Sequence, residues 1–279
     1  MLSDLPCWCG ARHAGDDGDE KVDCGSTQGG VRGSVGNPLA EVSPANLLLW
    51  FQLMSNARTS SRILFGVNAV AAWIGYGGQL LVNIFYLVPS APQLDPNLVG
   101  HSEPGWAGSV GRVFDSFSYF TNWSNLIVCI TLTMLFLNPE RTGRWFNTLR
   151  HTGILMITMA GILFHILIAP YYAPESWNAV TSLFEHYITP ILTVLVWVAI
   201  GPRGTYTFKE TFKVFIIPII YLIYTFARGA IASVYPYDFF NVVKWGYPSV
   251  LTLVAEVIIA GYVVALFYLG VERLRSPRR

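Results

Sequence analysis

The chain has 279 residues, of which 53% are hydrophobic and 13% charged, whereas an average soluble domain carries about 25% charged residues. This low share of charged residues indicates a protein that is embedded in a lipid membrane. The formal net charge of +1, with no basic patch interleaved with aromatic residues, argues against a nucleic-acid-binding protein.

The N-terminal region differs in composition from the rest of the chain. Residues 1 to about 45 are rich in Gly, Ser, Asp and Pro, so we expect a disordered tail that cannot bury enough apolar surface to fold. A start of translation at Met54 is the alternative. Residues 46–54 are apolar but too few to span a bilayer, and we assign residues 1–60 to a disordered or interfacial tail without a signal peptide or a metal site.

Six long apolar runs follow, and each has about the 20 residues that a helix needs to cross the hydrocarbon core. The predicted spans are residues 63–87, 113–137, 148–168, 180–200, 212–234 and 249–270. Only a helix satisfies the backbone of such a run within one segment. The sequence therefore predicts an all-α integral membrane protein, with a six-helix transmembrane bundle over residues 61–272 and a basic tail at 273–279.

Positive charges near the span ends predict the orientation. Twelve Lys and Arg residues fall in one set of alternate loops and ends, and only Arg112 and Lys244 fall in the other set. Because cytoplasmic loops carry the excess of positive charge, both termini are predicted to be cytoplasmic, and the protein to be a multi-pass protein of the cell membrane.

Polar side chains within the spans concentrate at one predicted depth, in the outer half of the bilayer. Ionisable groups inside a membrane are costly and mark functional sites by default. The candidates are Asp115, Tyr119, Thr121, Asn122, Asn125, His165, Glu185, His186, Arg228 and Glu256. On the fourth span, polar residues at 182, 186, 189 and 193 follow helical spacing, which predicts an inward face.

Thr121 and His186 are predicted to lie at the same depth, about 10 Å below the outer surface, given a rise of about 1.5 Å per residue. A hydroxyl becomes a nucleophile when an imidazole takes its proton. Such a pair needs an oxyanion donor, for which Asn122, Asn125, Tyr119 and Arg228 are the candidates. It also needs a group that orients the imidazole, for which Asp115 and Glu256 are the candidates. Glu185 is a poor choice because neighbouring positions on a helix do not face each other.

Other interpretations remain open from the residues alone. A threonine in a span often bonds to its own helix, and a polar cluster can be a transport path or a contact between helices. Arg228 could pair with Glu256 or with Asp115. His151 and His165 lie fourteen residues apart on the third predicted span, and each could ligate one of two haems. A second helix would have to supply a matching pair of histidines.

Three short motifs resemble those of the bacterial Pr-six-Pr membrane proteins, which are similar to the animal androgen-induced six-span hydrolases. They are Phe-Ser-Tyr-Phe-Thr-x-x-Ser-Asn at 117–125, His-Tyr-Ile-Thr-Pro at 186–190, and Tyr-Pro-Tyr at 235–237 followed by Phe239 and Phe240. The resemblance covers about residues 63–270. Phe120 stands where the animal proteins have leucine.

In the animal members, a threonine and a histidine cleave fatty acid esters of hydroxy fatty acids. Carried over by motif, the resemblance implies that Thr121 and His186 are the catalytic pair of a membrane-embedded hydrolase of lipid esters. It implies a fatty-acyl substrate entering from the membrane and no metal or organic cofactor. A non-enzymatic transporter or a membrane-integral regulatory protein is the alternative.

Overall fold

The computed structural model describes residues 44–88 and 93–276, and the side chains from residue 56 onward. The chain divides into a unit of residues 1–47, of which only the helical residues 44–47 are described, and a unit of residues 48–279. The α-helices are α1 Pro44–Phe85, α2 Ser109–Ser116, α3 Phe120–Leu137, α4 Arg144–Leu163, α5 Ser176–Leu183, α6 Thr189–Ile200, α7 Glu210–Lys213, α8 Ile216–Ala232 and α9 Val242–Arg275.

Six helical segments of the described chain are long and apolar enough to cross a membrane, which confirms the predicted fold class. They are Asn56–Phe85, Phe120–Leu137, Arg144–Ile168, Ser176–Ile200, Glu210–Ala232 and Val242–Arg275. The third and fourth each contain one π-helical segment, at Phe164–Ile168 and Phe184–Ile188 respectively.

The second span starts later than predicted. Residues 113–137 read as one apolar run, but the chain leaves helix α2 after Ser116 and begins α3 at Phe120. Ser118 N–H bonds to the carbonyl of Asp115 at 2.9 Å, which closes a turn between the two helices. Thr121 is therefore the second residue of α3 and not a residue two turns below its start.

The predicted boundary at residue 60 is also not a break in the helix. Helix α1 begins at Pro44 and continues without interruption to Phe85. At the other end, α9 extends to Arg275, beyond the predicted limit of 272. The disorder predicted for the tail concerns residues that lie mostly outside the described part of the chain, as do residues 277–279 and the tail cysteines.

Helix α4 lies at the centre of the bundle, where Met156 and Ile157 are fully buried. It packs closely against α3, and a Cβ added at Gly153 would lie 3.0 Å from the side chain of Ile127. Helix α1 approaches the fourth span in the same way, since a Cβ at Gly75 would lie 2.9 Å from Cγ of Glu185. Small residues at such crossings let helix backbones approach closely in lipid.

The loops at one end of the bundle are tied together by backbone contacts. Val99 N–H donates to the carbonyl of Tyr235 at 3.0 Å, and Tyr235 N–H donates to the carbonyl of Asn97 at 2.8 Å. The connection between the first and second spans is thereby joined to the one between the fifth and sixth spans. We call this the vestibule end, because the large cavity described next opens here.

Candidate functional site

A cavity of about 1450 Å³ occupies the vestibule end of the bundle, and we call it the vestibule. Six of the ten candidate residues line it, and these are Asp115, Tyr119, Thr121, Asn122, Glu185 and His186. The second and fourth spans pack side by side at its base, where Asn125 Nδ2 lies 3.4 Å from the carbonyl oxygen of Glu185. Thr121 and His186 therefore line the same cavity.

Thr121 lies in the first turn of α3, beside the end of the helix whose N–H groups carry a partial positive charge. Asn125 supports this turn from below, donating from Nδ2 to the Thr121 carbonyl at 3.0 Å. The Thr121 side chain lies close to the hydroxyl of Tyr237. It therefore lies at the vestibule wall beside a phenol.

His186 is held by stacking. Its ring lies parallel to the ring of Phe164, with 3.6 Å between centroids and 6° between planes. Both residues belong to π-helical segments, which insert an extra residue into a turn and occur often at functional sites. The two irregular turns face each other and turn the imidazole toward the vestibule. Nδ1 of His186 is buried with no hydrogen-bond partner among the described residues.

Neither predicted orienting group contacts His186. Asp115 is engaged by Arg228, whose Nη2 lies 2.7 Å from Oδ1, and Arg228 also bonds to the hydroxyl of Ser118. Of the two pairings left open for Arg228, the structure contains the one with Asp115. Glu256 lies exposed on α9, away from the vestibule. The orientation of the imidazole therefore depends on Phe164 and not on a carboxylate.

Three of the four predicted oxyanion donors are occupied. Asn122 donates to the carbonyl of Ser116 at 2.5 Å, which closes the end of α2. Asn125 bonds to backbone carbonyls, and Arg228 pairs with Asp115 and Ser118. Tyr119 also lines the vestibule, and burial, with its neighbours Tyr237 and Asp115, raises the pKa of this phenol.

Tyr237 is the residue that sequence reasoning missed as a functional group, although its motif carries part of the resemblance. The N–H of Phe120 donates to Tyr237 Oη at 2.9 Å, and the same hydroxyl lies close to the Thr121 side chain. Stacking on Phe239, with 4.9 Å between centroids, fixes the ring. Burial raises the pKa of Tyr237 to about 12, so the phenol keeps its proton at neutral pH and can donate.

A second, apolar cavity of about 90 Å³ begins where the vestibule ends. Its walls come from α4, α8 and α9, with Met159, Leu222 and Val257 as typical lining residues. Thr121 and Tyr237 line both cavities. The candidate nucleophile thus lies at the junction between a polar space and an apolar one.

The remaining candidates lie apart from this junction. His165 is exposed, and its Nδ1 lies 3.2 Å from the hydroxyl of Tyr187. Glu185 lines the vestibule but is buried, and its Oε1 has no partner among the described residues. His151 is buried near Tyr206 and Thr205, toward the opposite end of α4. His151 and His165 therefore lie in unlike surroundings, and the histidine pair considered for haem lacks a shared site.

Searches against family models, curated proteins and solved structures gave no match to this chain. The described residues contain no cluster of three or more His, Cys, Asp or Glu side chains suited to a metal ion.

Proposed function

We propose that this protein is a membrane-embedded hydrolase of lipid esters, in which Thr121 is the nucleophile and His186 the general base. One observation carries the proposal: Thr121 lines both the polar vestibule and the apolar cavity, while His186 lines the same vestibule. An ester of a fatty acid has the same division, because a polar carboxyl group joins an apolar chain.

The proposed reaction proceeds in two steps. Thr121 Oγ1 forms a bond to the ester carbonyl carbon as His186 takes the hydroxyl proton. The carbonyl oxygen becomes an oxyanion, which Tyr237 Oη stabilises by donating its proton in a hydrogen bond. Collapse breaks the bond to the alcohol, which leaves with the proton from His186, and water then hydrolyses the acyl-threonine by the same route.

The two cavities suggest how the substrate divides between them. The apolar cavity between α4, α8 and α9 suits the acyl chain, because its apolar walls match a hydrocarbon chain. The vestibule, lined by carboxyl, amide and imidazole groups, suits the alcohol part. This arrangement supports a fatty-acyl substrate that enters from the membrane.

The resemblance of three short motifs to the Pr-six-Pr proteins supports this proposal. The proposal also adopts the orientation that the charge distribution predicts. With both termini in the cytoplasm, the vestibule opens toward the outside of the cell membrane. The polar alcohol product would then leave to the exterior, while the fatty acid would return to the bilayer.

A transporter is the second candidate, and one observation favours it. The sequence predicts a mostly apolar inner half, but the fourth span carries buried Thr189 and Thr193 below His186. Thr193 lies within 3.4 Å of Asn68, and a small cavity continues from Thr193 to buried Arg150. These groups extend polar character toward the opposite end of the bundle, as a transport path would require.

Hydrolysis of fluorogenic fatty acid esters by the purified protein in detergent tests the proposal. We expect wild type to turn over such esters, and Thr121→Ala and His186→Ala to lose at least about 100-fold in kcat. Thr252→Ala is the matched control, since Thr252 lies exposed on α9 and bonds only to its own helix.

Two results would contradict the hydrolase proposal. One is a wild-type protein inert toward esters of every chain length. The other is an activity that persists at full rate in folded Thr121→Ala. Uptake of a substrate into proteoliposomes, without any chemical change to that substrate, would then favour the transporter.

A further inference from the structure

A second polar site lies at the end of the bundle opposite to the vestibule, where α4 meets α6. Arg150 is 4% exposed and Trp197 is 2% exposed, so both are buried inside the protein. Both line a small cavity, together with Thr131, Thr193 and apolar side chains from α1, α3 and α4. The proposed ester hydrolysis uses none of these residues.

The polar atoms of Arg150 and Trp197 are all donors. Nη1 and Nη2 of Arg150 and Nε1 of Trp197 have no hydrogen-bond acceptor among the described residues. The two side chains are neighbours, since a Cβ added at Gly201 would collide with Arg150 Nη2 and lie 3.0 Å from Trp197 Cδ1. A guanidinium is charged in proteins, and a buried charge without a partner is strongly destabilising.

No carboxylate of the described chain neutralises Arg150 within 4 Å. The acidic group that interacts electrostatically with Arg150 is Glu272, which also pairs with Arg275. Its Oε2 lies 3.5 Å from Nη1 of Arg275, and its Oε1 accepts from the N–H of Thr205 at 3.0 Å. Two buried or half-buried guanidiniums therefore share one carboxylate, which leaves one positive charge in excess.

The hydroxyls of the cavity do not supply a negative charge either. Thr131 donates to the carbonyls of Ile127 and Val128 in its own helix. Thr193 exchanges a hydrogen bond with Asn68 at 3.4 Å. The carbonyl end of α6 contributes only a partial negative charge to this region. A donor-rich, positively charged cavity selects an anion and repels a cation.

The size of the cavity restricts the anion. Its volume of about 10 Å³ is near the lower limit for one water-sized particle. Phosphate, sulfate and carboxylates carry several heavy atoms and are too large, whereas a halide is a single atom, larger than water but the smallest anion of the common kinds. We propose that Arg150 and Trp197 form a buried binding site for one small monovalent anion, of which chloride is the representative.

The thermal unfolding temperature of the full chain in detergent tests this site, measured in sodium chloride and in sodium gluconate at equal concentration. A ligand that binds only the folded state raises this temperature. We expect wild type to unfold roughly 3 °C higher in chloride, with bromide acting like chloride. Gluconate is too large to enter.

Two variants assign the effect to the cavity. Arg150→Met removes the charge but keeps a long apolar side chain, and we expect the difference between chloride and gluconate to vanish. Arg144→Met is the matched control on the same helix, because Arg144 is exposed and should keep the full difference. If Arg150→Met fails to fold, Trp197→Phe, which removes one donor, should reduce the difference.

The alternative outcomes overturn the proposal. Equal unfolding temperatures of wild type in both salts would mean that water alone occupies the cavity. A chloride effect that persists in Arg150→Met, or in Trp197→Phe at full size, would place the anion elsewhere. Loss of ester hydrolysis has no bearing on this test, because the readout is stability.

Discussion

At the scale of single residues, the site depends on what surrounds Thr121 rather than on its position in the sequence. Its side chain lies close to the hydroxyl of Tyr237, which accepts from the N–H of Phe120 at 2.9 Å. That N–H donor leaves the phenolic proton free and strengthens it as a donor, because linked hydrogen bonds polarise one another. In the proposed reaction, Tyr237 would therefore have a proton to donate to the oxyanion.

Tyr237→Phe removes this hydroxyl and keeps the ring that stacks on Phe239. We expect kcat for ester hydrolysis to fall about 100-fold with little change in KM, because loss of one oxyanion donor acts mainly on the transition state. Tyr235→Phe is the matched control, since Tyr235 lies in the same loop but lines neither cavity. Equal kcat values for the two variants would remove Tyr237 from the mechanism.

The spacing of polar residues along a span does not settle the direction in which each side chain points. Glu256 is exposed on α9, since periodicity places a group along a helix without identifying the helix face that meets a neighbour. The fourth span shows the opposite case, because the spacing of Ser182, Thr189 and Thr193 predicts an inward face and all three are buried.

At the scale of elements, two kinds of irregular backbone segment shape the site, and no sequence pattern predicts either of them. Residues 117–119 carry neither Gly nor Pro, yet the helix ends there and restarts at Phe120, which places Thr121 beside a helix start. The π-helical turns at Phe164–Ile168 and Phe184–Ile188 arise from tertiary packing, and hydrophobic periodicity does not distinguish them from α-helix.

The loop that carries Tyr237 is positioned by close contact with α8. A Cβ added at Gly229 would collide with the ring of Tyr235. Gly229→Ala should therefore destabilise the protein by about 1–3 kcal/mol, the usual cost of overpacking, and should lower the thermal unfolding temperature in detergent.

Gly270→Ala serves as the control, because the position on α9 has open space around it. Alanine favours the helix by about 1 kcal/mol over glycine, so this variant should match or exceed wild type. A Gly229→Ala protein as stable as Gly270→Ala would show that the loop can move away from α8, and would weaken the case for a fixed Tyr237.

At the scale of the whole molecule, the sequence predicts the architecture well, because a run of about 20 apolar residues has one stable solution in a bilayer. All six predicted spans correspond to long apolar helices of the described chain. The bundle carries polar side chains at both ends, in two different settings. The vestibule opens to the loops, whereas the cluster around Arg150 is enclosed.

Reactivity of introduced cysteines toward a membrane-impermeant maleimide tests the orientation, in a background with the native cysteines replaced by serine. Tyr171→Cys lies at the vestibule end, where Tyr171 is 91% exposed, and should react in intact cells. Leu274→Cys, at the opposite end of α9, should react only after permeabilisation. The reverse pattern would mean that the vestibule faces the cytoplasm.

Peptide mass spectrometry after treatment with a fluorophosphonate tests whether Thr121 is a nucleophile. We expect a phosphonyl adduct on Thr121 in wild type, and little or none in folded His186→Ala, because the proposed threonine nucleophile needs its base. An adduct on another residue, or equal labelling of Thr121 in both proteins, would contradict the assignment of this pair.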